Sequence, residues 1–237
     1  MHSPPSISVV VPFFNSERHI GACIESLQNQ KGFDDAYELI FVNNRSADGS
    51  AAIVSQSAGV ELVEEDVPGA YAARNTGIRK ARAPIIAFTD ADCKVDSDWL
   101  QSIRDAMRDP SLAVLLGYCR YPADASPQLK LLGAYENAKT DYVLNQCAAD
   151  YHFAYANNMA VRAEVFAQIG PFQEWPRAAD TELIHLLATR LPDLRVAYNR
   201  SMKITHLEFV GARSRFARLK LYTRTNSKVE SFRELSL

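Results

Sequence analysis

The apolar run Pro84-Ile85-Ile86-Ala87-Phe88 passes directly into Thr89-Asp90-Ala91-Asp92, which sets two carboxylates one residue apart where a buried strand ends. Alternate residues of a strand share a face, which predicts that Asp90 and Asp92 point to the same side. Two such charges beside a core repel one another unless a cation lies with them. Carboxylates that leave room for water and phosphate oxygens make a typical Mg²⁺ or Mn²⁺ site. The same residues also suit a strand end turning into solvent, because Asp is a common turn residue. Both readings stand on these residues alone.

The elements that must position this pair alternate along the chain. Ile7–Phe14 is a β-branched run ending at Asn15-Ser16, residues able to cap a helix, and Ile20, Cys23, Ile24 and Leu27 then recur at helical spacing. A second strand over Glu38–Val42 ends at Asn43-Asn44, and a polar turn from Ser46 to Ser50 leads into a helix through Ala51, Ile53 and Val54. Val60–Val63, a helix over Ala70–Ala81, the strand Pro84–Thr89 and a helix over Asp96–Met107 complete the first half. Strands alternating with helices imply a parallel sheet covered on both faces, whose ligands bind at the carboxyl ends of the strands. Asn15, Asn43, Asn44, Asp90 and Asp92 all fall at such ends.

The second half is less regular. It predicts strands at Ala113–Tyr121 and Met159–Val161, helices at Gln128–Gln146, Ala163–Ile169 and Thr181–Thr189, and extended chain at Arg195–Tyr198 and Lys203–His206. The 237 residues, 47% hydrophobic and 23% charged, suit a soluble globular protein. No run of about 18 apolar residues predicts a membrane-spanning helix, and Met1-His2-Ser3-Pro4-Pro5 lacks the basic and apolar regions of a secretory signal. Cys23, Cys93, Cys119 and Cys147 are scattered, as in a reduced, cytoplasmic protein. The net charge of −2 divides into −7 over residues 1–210 and +5 from Gly211 onward. A basic tail on an acidic body argues for a local anionic partner rather than general nucleic-acid binding. Its Phe216, Leu219, Phe232 and Leu235 give a predicted helix either a peripheral contact with anionic membrane or a face to pack on the body.

The first loop, Phe13-Phe14-Asn15-Ser16-Glu17, has none of the glycines of a dinucleotide fingerprint, and no phosphate-binding loop ending in Lys-Ser/Thr occurs. Instead, SVVVPFFNSERHI, FVNNRSADGS, GAYAARNTGIRKARAPIIAFTDADCKVDSDWL, ANNMAVRAEVF and AADTELIHLL occur in that order. Together they resemble the successive motifs of family 2 glycosyltransferases over roughly residues 6–208. Several motifs in the right order are far more specific than any one alone.

The resemblance implies a GT-A type α/β fold, with a mostly parallel central sheet flanked by helices. It implies one domain over residues 1–210, with a nucleotide-sugar-binding half at 6–110 and an acceptor half at 111–210, and a short basic helical extension at 211–237. It further implies transfer of a sugar from a nucleotide-diphosphate donor to a sugar or lipid-linked acceptor hydroxyl, usually with inversion. Such reactions serve cell-surface polysaccharide or glycolipid synthesis. By the same resemblance Asp92 ligates Mn²⁺ or Mg²⁺, Asp90 contacts ribose or metal, and His206 joins the metal after the last strand. Pro12, Phe14, Asn15 and Glu17 correspond to the first nucleotide-binding loop, and Arg74 to a residue facing the nucleotide. Asn44 falls where many relatives carry an Asp that accepts from uracil; the change leaves the donor base open, since an amide both accepts and donates. Asp180 takes the place of the second acid of a Glu-Asp motif, which makes it the base for the acceptor hydroxyl, or else a helix cap, with Glu182 as the alternative base. Trp175 is a candidate platform for an acceptor sugar ring. Ala179 in place of the motif's Glu keeps a non-catalytic sugar-nucleotide-binding relative as the competing reading.

Overall fold

The computed structural model describes residues 3–145 and 153–208. Within them the order is β1 (Ile7–Phe13), α1 (Ile20–Gln28), β2 (Tyr37–Asn43), α2 (Ser50–Ser55), β3 (Val60–Glu64), α3 (Ala70–Lys80), β4 (Ile85–Thr89) and β5 (Cys93–Val95). It continues with α4 (Trp99–Ala106), β6 (Leu112–Arg120), α5 (Pro127–Asn145), β7 (Asn158–Arg162), α6 (Ala163–Ile169), α7 (Ala179–Arg190) and β8 (Arg195–His206). The eight strands form one sheet in the order β3-β2-β1-β4-β7-β6-β8-β5. β3, β2, β1 and β4 are mutually parallel, β7 runs against both β4 and β6, β8 parallels β6, and β5 runs against β8 at the edge.

All seven residues of β1 are buried, as expected of a central strand covered on both faces. Val9, Val11 and Phe13 enter a core layer with Ile20 and Leu27 of α1 and Trp99 and Leu100 of α4. Val10, Ile40, Val42, Ile86 and Phe88 enter the opposite layer with Tyr71 and Ala73 of α3 and Leu183 of α7. Gly77 sets how close α3 lies to β1, because a Cβ there would overlap the Val10 side chain. That close approach carries the α3 residues Tyr71 and Arg74 to the carboxyl end of the sheet.

Three expectations are corrected. β4 ends at Thr89, so Asp90 and Asp92 lie in the turn before β5, closed by the Cys93 N–H on the Asp90 carbonyl at 2.9 Å. Strand alternation therefore does not align the two carboxylates. The three-residue strand β5 has no sequence expectation, and the two extended segments near the end are one strand, β8, with an irregularity between Asn199 and Lys203 opposite Gly117 and Tyr118. Asn15-Ser16 does not cap α1; His19 precedes its first residue, and the Ser16 carbonyl takes the His19 and Ile20 N–H groups. The expected helix over Gly211–Leu235 lies outside the described residues. Among the described residues, no helix is long and apolar enough to cross a membrane.

Candidate active site

The first half of the sheet reverses its direction of growth at β1, with β2 and β3 on one side and β4 on the other. At such a switch point the loops leaving adjacent strands part and leave a crevice. β1 pairs with β4 only as far as Val10, but with β2 as far as Phe13. Pro12, which has no N–H to donate, sits in the stretch that β4 leaves unpaired. The resulting cleft of about 190 Å³ is lined by Pro12, Phe13, Phe14 and Ser16 from the end of β1, Asn44 after β2, Ala70 and Arg74 of α3, and Asp90, Ala91 and Asp92. Phe14 presents its ring there at 61% exposure.

The two carboxylates turn to different partners. Asp90 accepts from the Arg74 guanidinium at 2.5 Å, and Arg74 is 5% exposed. Burial acts against the Arg74 charge, but Asp90 beside it holds its pKa above the ordinary value. Asp92 Oδ2 lies 3.6 Å from Nε2 of His206, the last residue of β8. Pairing of Cys93 with His206 across β5 and β8, and the Leu207 N–H on the Asp92 carbonyl at 2.7 Å, bring these residues together. One ligand atom each of Asp92, Cys93 and His206 lie within 4.8 Å of one another. A carboxylate suits Mn²⁺ or Mg²⁺, and an imidazole is a common ligand of divalent transition metals. Burial, with Asp92 and Asp90 nearby, pushes the Cys93 thiol well up, so it is a neutral neighbour of this corner.

Asn44 lines the cleft with its side chain already engaged. Its Nδ2 donates to the Glu65 carbonyl at 3.0 Å and the Val67 carbonyl at 2.7 Å, and its Oδ1 accepts the Gly69 N–H at 2.7 Å. It clasps the loop that delivers α3, whose entry at Gly69 has φ +135°, a value natural only to glycine. Asn15 and Glu17 do not line the cleft. Asn15 Oδ1 accepts the Ala47 N–H at 2.8 Å and Glu17 Oε2 the Gly49 N–H at 3.0 Å, so they tie the loops after β1 and β2 together.

Asp180 stands in the first turn of α7, one residue inside a helix that begins at Ala179. Its position therefore differs from that of a simple N-cap. Its carboxylate accepts the Ala156 N–H at 3.0 Å and the Thr181 N–H at 2.9 Å. Burial raises its pKa, and the Arg74 charge, the Tyr71 hydroxyl and the two N–H groups oppose that rise. Tyr71 itself lies under Arg74, whose guanidinium carbon is 5.3 Å from the ring centre. Asp90, Arg74 and Tyr71 thus form one series of contacts, and the Arg74 charge acts on Asp180 as well. Trp175 is half-buried in the 170–178 loop and does not line the cleft. That loop is held to α3 by Asn75, which exchanges hydrogen bonds with the Phe172 backbone at 2.8 and 3.0 Å.

Sequence reasoning missed Tyr71, Asn75 and Cys93. The signal for the first two was present. In the alanine-rich start of α3, Tyr71, Arg74 and Asn75 stand at i, i+3 and i+4, one helical face.

A parallel half-sheet with its cleft at the switch point, continued by a mixed half whose last long strand returns a histidine to the cleft-lining Asp92, is a GT-A type fold. The mannosyltransferase PcManGT of Pyrobaculum calidifontis, solved with GDP-Man and Mn²⁺, has the same fold, with a TM-score of 0.64, 20% identity, and coverage of 87% of this chain and 59% of that one. Residues 8–170 match the model of glycosyl transferase family 2, and the chain belongs to that family. Glycosyltransferase AglE of Haloferax volcanii is 27% identical over 173 residues, 71% of this chain and 56% of that protein. Poly(ribitol-phosphate) beta-glucosyltransferase of Bacillus spizizenii is 34% identical over 121 residues, 47% of this chain and 19% of that protein. The chain therefore spans about half, or less, of the length of these curated relatives.

Proposed function

We propose that this chain transfers a sugar from a nucleotide-diphosphate donor to an acceptor hydroxyl with inversion, in the assembly of a cell-surface polysaccharide or glycolipid. The observation that carries the reading is the Arg74 charge shared by a cleft-lining acid, Asp90, and a second acid, Asp180, outside the cleft. Direct displacement needs two such places, one for the departing diphosphate and one for the attacking hydroxyl. The neighbour that holds GDP-Man and Mn²⁺ and the relative that glucosylates poly(ribitol phosphate) support donor and acceptor classes respectively.

Asp92 and His206 would hold the divalent cation, Mn²⁺ or Mg²⁺. When bound, it supplies positive charge against the diphosphate as negative charge develops there. Arg74 adds fixed positive charge at the cleft wall, and Phe14 offers a ring face to the donor base. In the chemical step the acceptor oxygen forms its bond to the anomeric carbon as the bond from that carbon to the diphosphate oxygen breaks. The hydroxyl proton passes to the Asp180 carboxylate. Two N–H donors on a group with about four lone-pair sites leave room for that hydroxyl. Trp175, five residues before Asp180, is the proposed platform for an acceptor sugar, and the basic segment 211–237 the proposed contact with an anionic membrane face.

The test is Asp180→Asn. Calorimetry should show donor affinity within about twofold of wild type, while transfer falls by roughly 10²–10⁴-fold, the range of lost general-base catalysis. Transfer at the wild-type rate would place the base elsewhere.

A further inference from the structure

Asn75 follows Arg74 on α3 and is 2% exposed, yet it does not line the donor cleft. Its amide closes on one residue of the 170–178 loop much as a neighbouring strand would. Nδ2 donates to the Phe172 carbonyl at 2.8 Å, and Oδ1 accepts the Phe172 N–H at 3.0 Å. Nδ2 also reaches Oε1 of Glu174 at 3.4 Å. Both the donor and the acceptor of this amide are thus spent on the loop.

Packing holds the ring of Phe172 but not the entry of the loop. The ring lies among Tyr71, Phe88 and Phe166, with each pair of centroids 5.5 Å apart. Beside it, Phe166, Pro171 and Asn75 itself line a cavity of about 320 Å³, where close packing is missing. None of residues 173–177 is buried, and the loop is bounded by positive φ at Gly170 (+92°) and Ala178 (+69°). A ring seated in an apolar pocket leaves the backbone free to pivot about it. Hydrogen bonds to both the N–H and the carbonyl of one residue fix the direction in which the chain leaves. Trp175 comes three residues later.

We propose that Asn75 is a positioning residue for acceptor binding: its amide sets the course of the chain beyond Phe172, and so the place of Trp175 relative to the donor side. The inference rests on the reading of Trp175 as an acceptor platform and adds what holds that platform. Arg74, which lines the cleft and pairs with Asp90, and Asn75 are consecutive on one helix, so the donor-side charge and the anchor of the loop share one rigid support. Aspartate at position 75 can still accept the Phe172 N–H, but it cannot donate to the carbonyl and adds a carboxylate beside Glu174. Alanine loses every one of these bonds. A residue that only satisfied buried backbone groups would alter stability alone; one that places a platform alters acceptor binding as well.

The chain has two tryptophans. Trp99 is fully buried, with its Nε1 on Asn158 Oδ1 at 2.9 Å, so acrylamide quenching of the fluorescence reads Trp175. The experiment measures quenching, Tm and transfer kinetics for wild type, Asn75→Asp, Asn75→Ala, Trp175→Ala and Ile103→Val, the last of which trims the opposite core layer. The acceptor is the p-nitrophenyl glycoside, from a panel, that wild type turns over fastest, and calorimetry with UDP and GDP in Mn²⁺ probes the donor side. Both Asn75 variants should quench more steeply than wild type. They should lose up to about 10²-fold in kcat/KM for the acceptor, the cost of a displacement of about 1 Å, through a raised KM and with nucleotide affinity unchanged. Asn75→Asp, isosteric with the native side chain, carries the test should the alanine variant not fold. Ile103→Val should lower Tm and leave quenching and acceptor KM in place. Wild-type quenching in the Asn75 variants would overturn the inference, as would an equal change in Ile103→Val or an equal loss of nucleotide affinity. A raised acceptor KM in Trp175→Ala but not in the Asn75 variants would overturn it alone. An acceptor KM unmoved by Trp175→Ala would instead remove the platform reading, and this inference with it.

Discussion

Replacing Asn44 by aspartate restores the residue type that the family resemblance leads one to expect, and here it should be damaging. The amide nitrogen serves the Glu65 and Val67 carbonyls, and Asn44 is buried. A carboxylate can still accept the Gly69 N–H but has nothing to offer two carbonyl oxygens. Two lost hydrogen bonds at about 0.5–1.5 kcal/mol each, with repulsion between the new charge and those oxygens, give about 3 kcal/mol. For a domain of this size that corresponds to a Tm lower by about 6–12 °C at pH 7. The deficit should shrink on acidification, since the new carboxyl, facing acceptors, regains a donor once protonated. Asn44→Ala, which loses all three bonds but adds no charge, should also lower Tm, without the recovery on acidification. Differential scanning calorimetry at pH 7 and pH 5 is the assay. A Tm for Asn44→Asp within 1 °C of wild type, together with an altered preference among nucleotide donors, would refute the reasoning and return Asn44 to the role of base reader.

Asp92→Asn should abolish the cation dependence of nucleotide binding in calorimetry with Mn²⁺; unchanged affinity would remove Asp92 from the metal corner. Trp175→Ala should raise the acceptor KM by roughly tenfold or more, the worth of one stacked ring, with donor affinity intact. An effect on donor binding instead would deny it the platform role. Deleting 211–237 should weaken binding to anionic vesicles in a salt-sensitive way, and equal binding with and without the segment would end the membrane proposal.

Much of the first half was legible because β1, β2 and β4 are buried on both faces and read as near-continuous apolar runs, each ended by polar residues. What the sequence could not convey was direction. Asp90 and Asp92 were found, and β4 ends at Thr89 as expected, but their divergence toward Arg74 and His206 depends on a turn that feeds a three-residue edge strand. Asn15 and Asn44 stand at strand ends as expected and Glu17 in the first loop, yet their side chains are spent on neighbouring loops, a competition that only spatial proximity reveals. Tyr71 carries no sequence expectation; it belongs to the core, and its place under Arg74 shows only in the folded helix. β8 read as two pieces because the residues between Asn199 and Lys203 interrupt its pairing with β6.

The central claim, a cation-assisted nucleotide-sugar site at the β1–β4 switch point, is met most directly by a thermal-shift titration of the chain with UDP-, GDP- and dTDP-sugars, with and without Mn²⁺. One donor at about a hundredfold excess over its Kd should stabilise by about 2.7 kcal/mol, or roughly 5–10 °C, only with the cation present and not in Asp92→Asn. No shift with any donor, or a shift indifferent to both cation and Asp92, would contradict it.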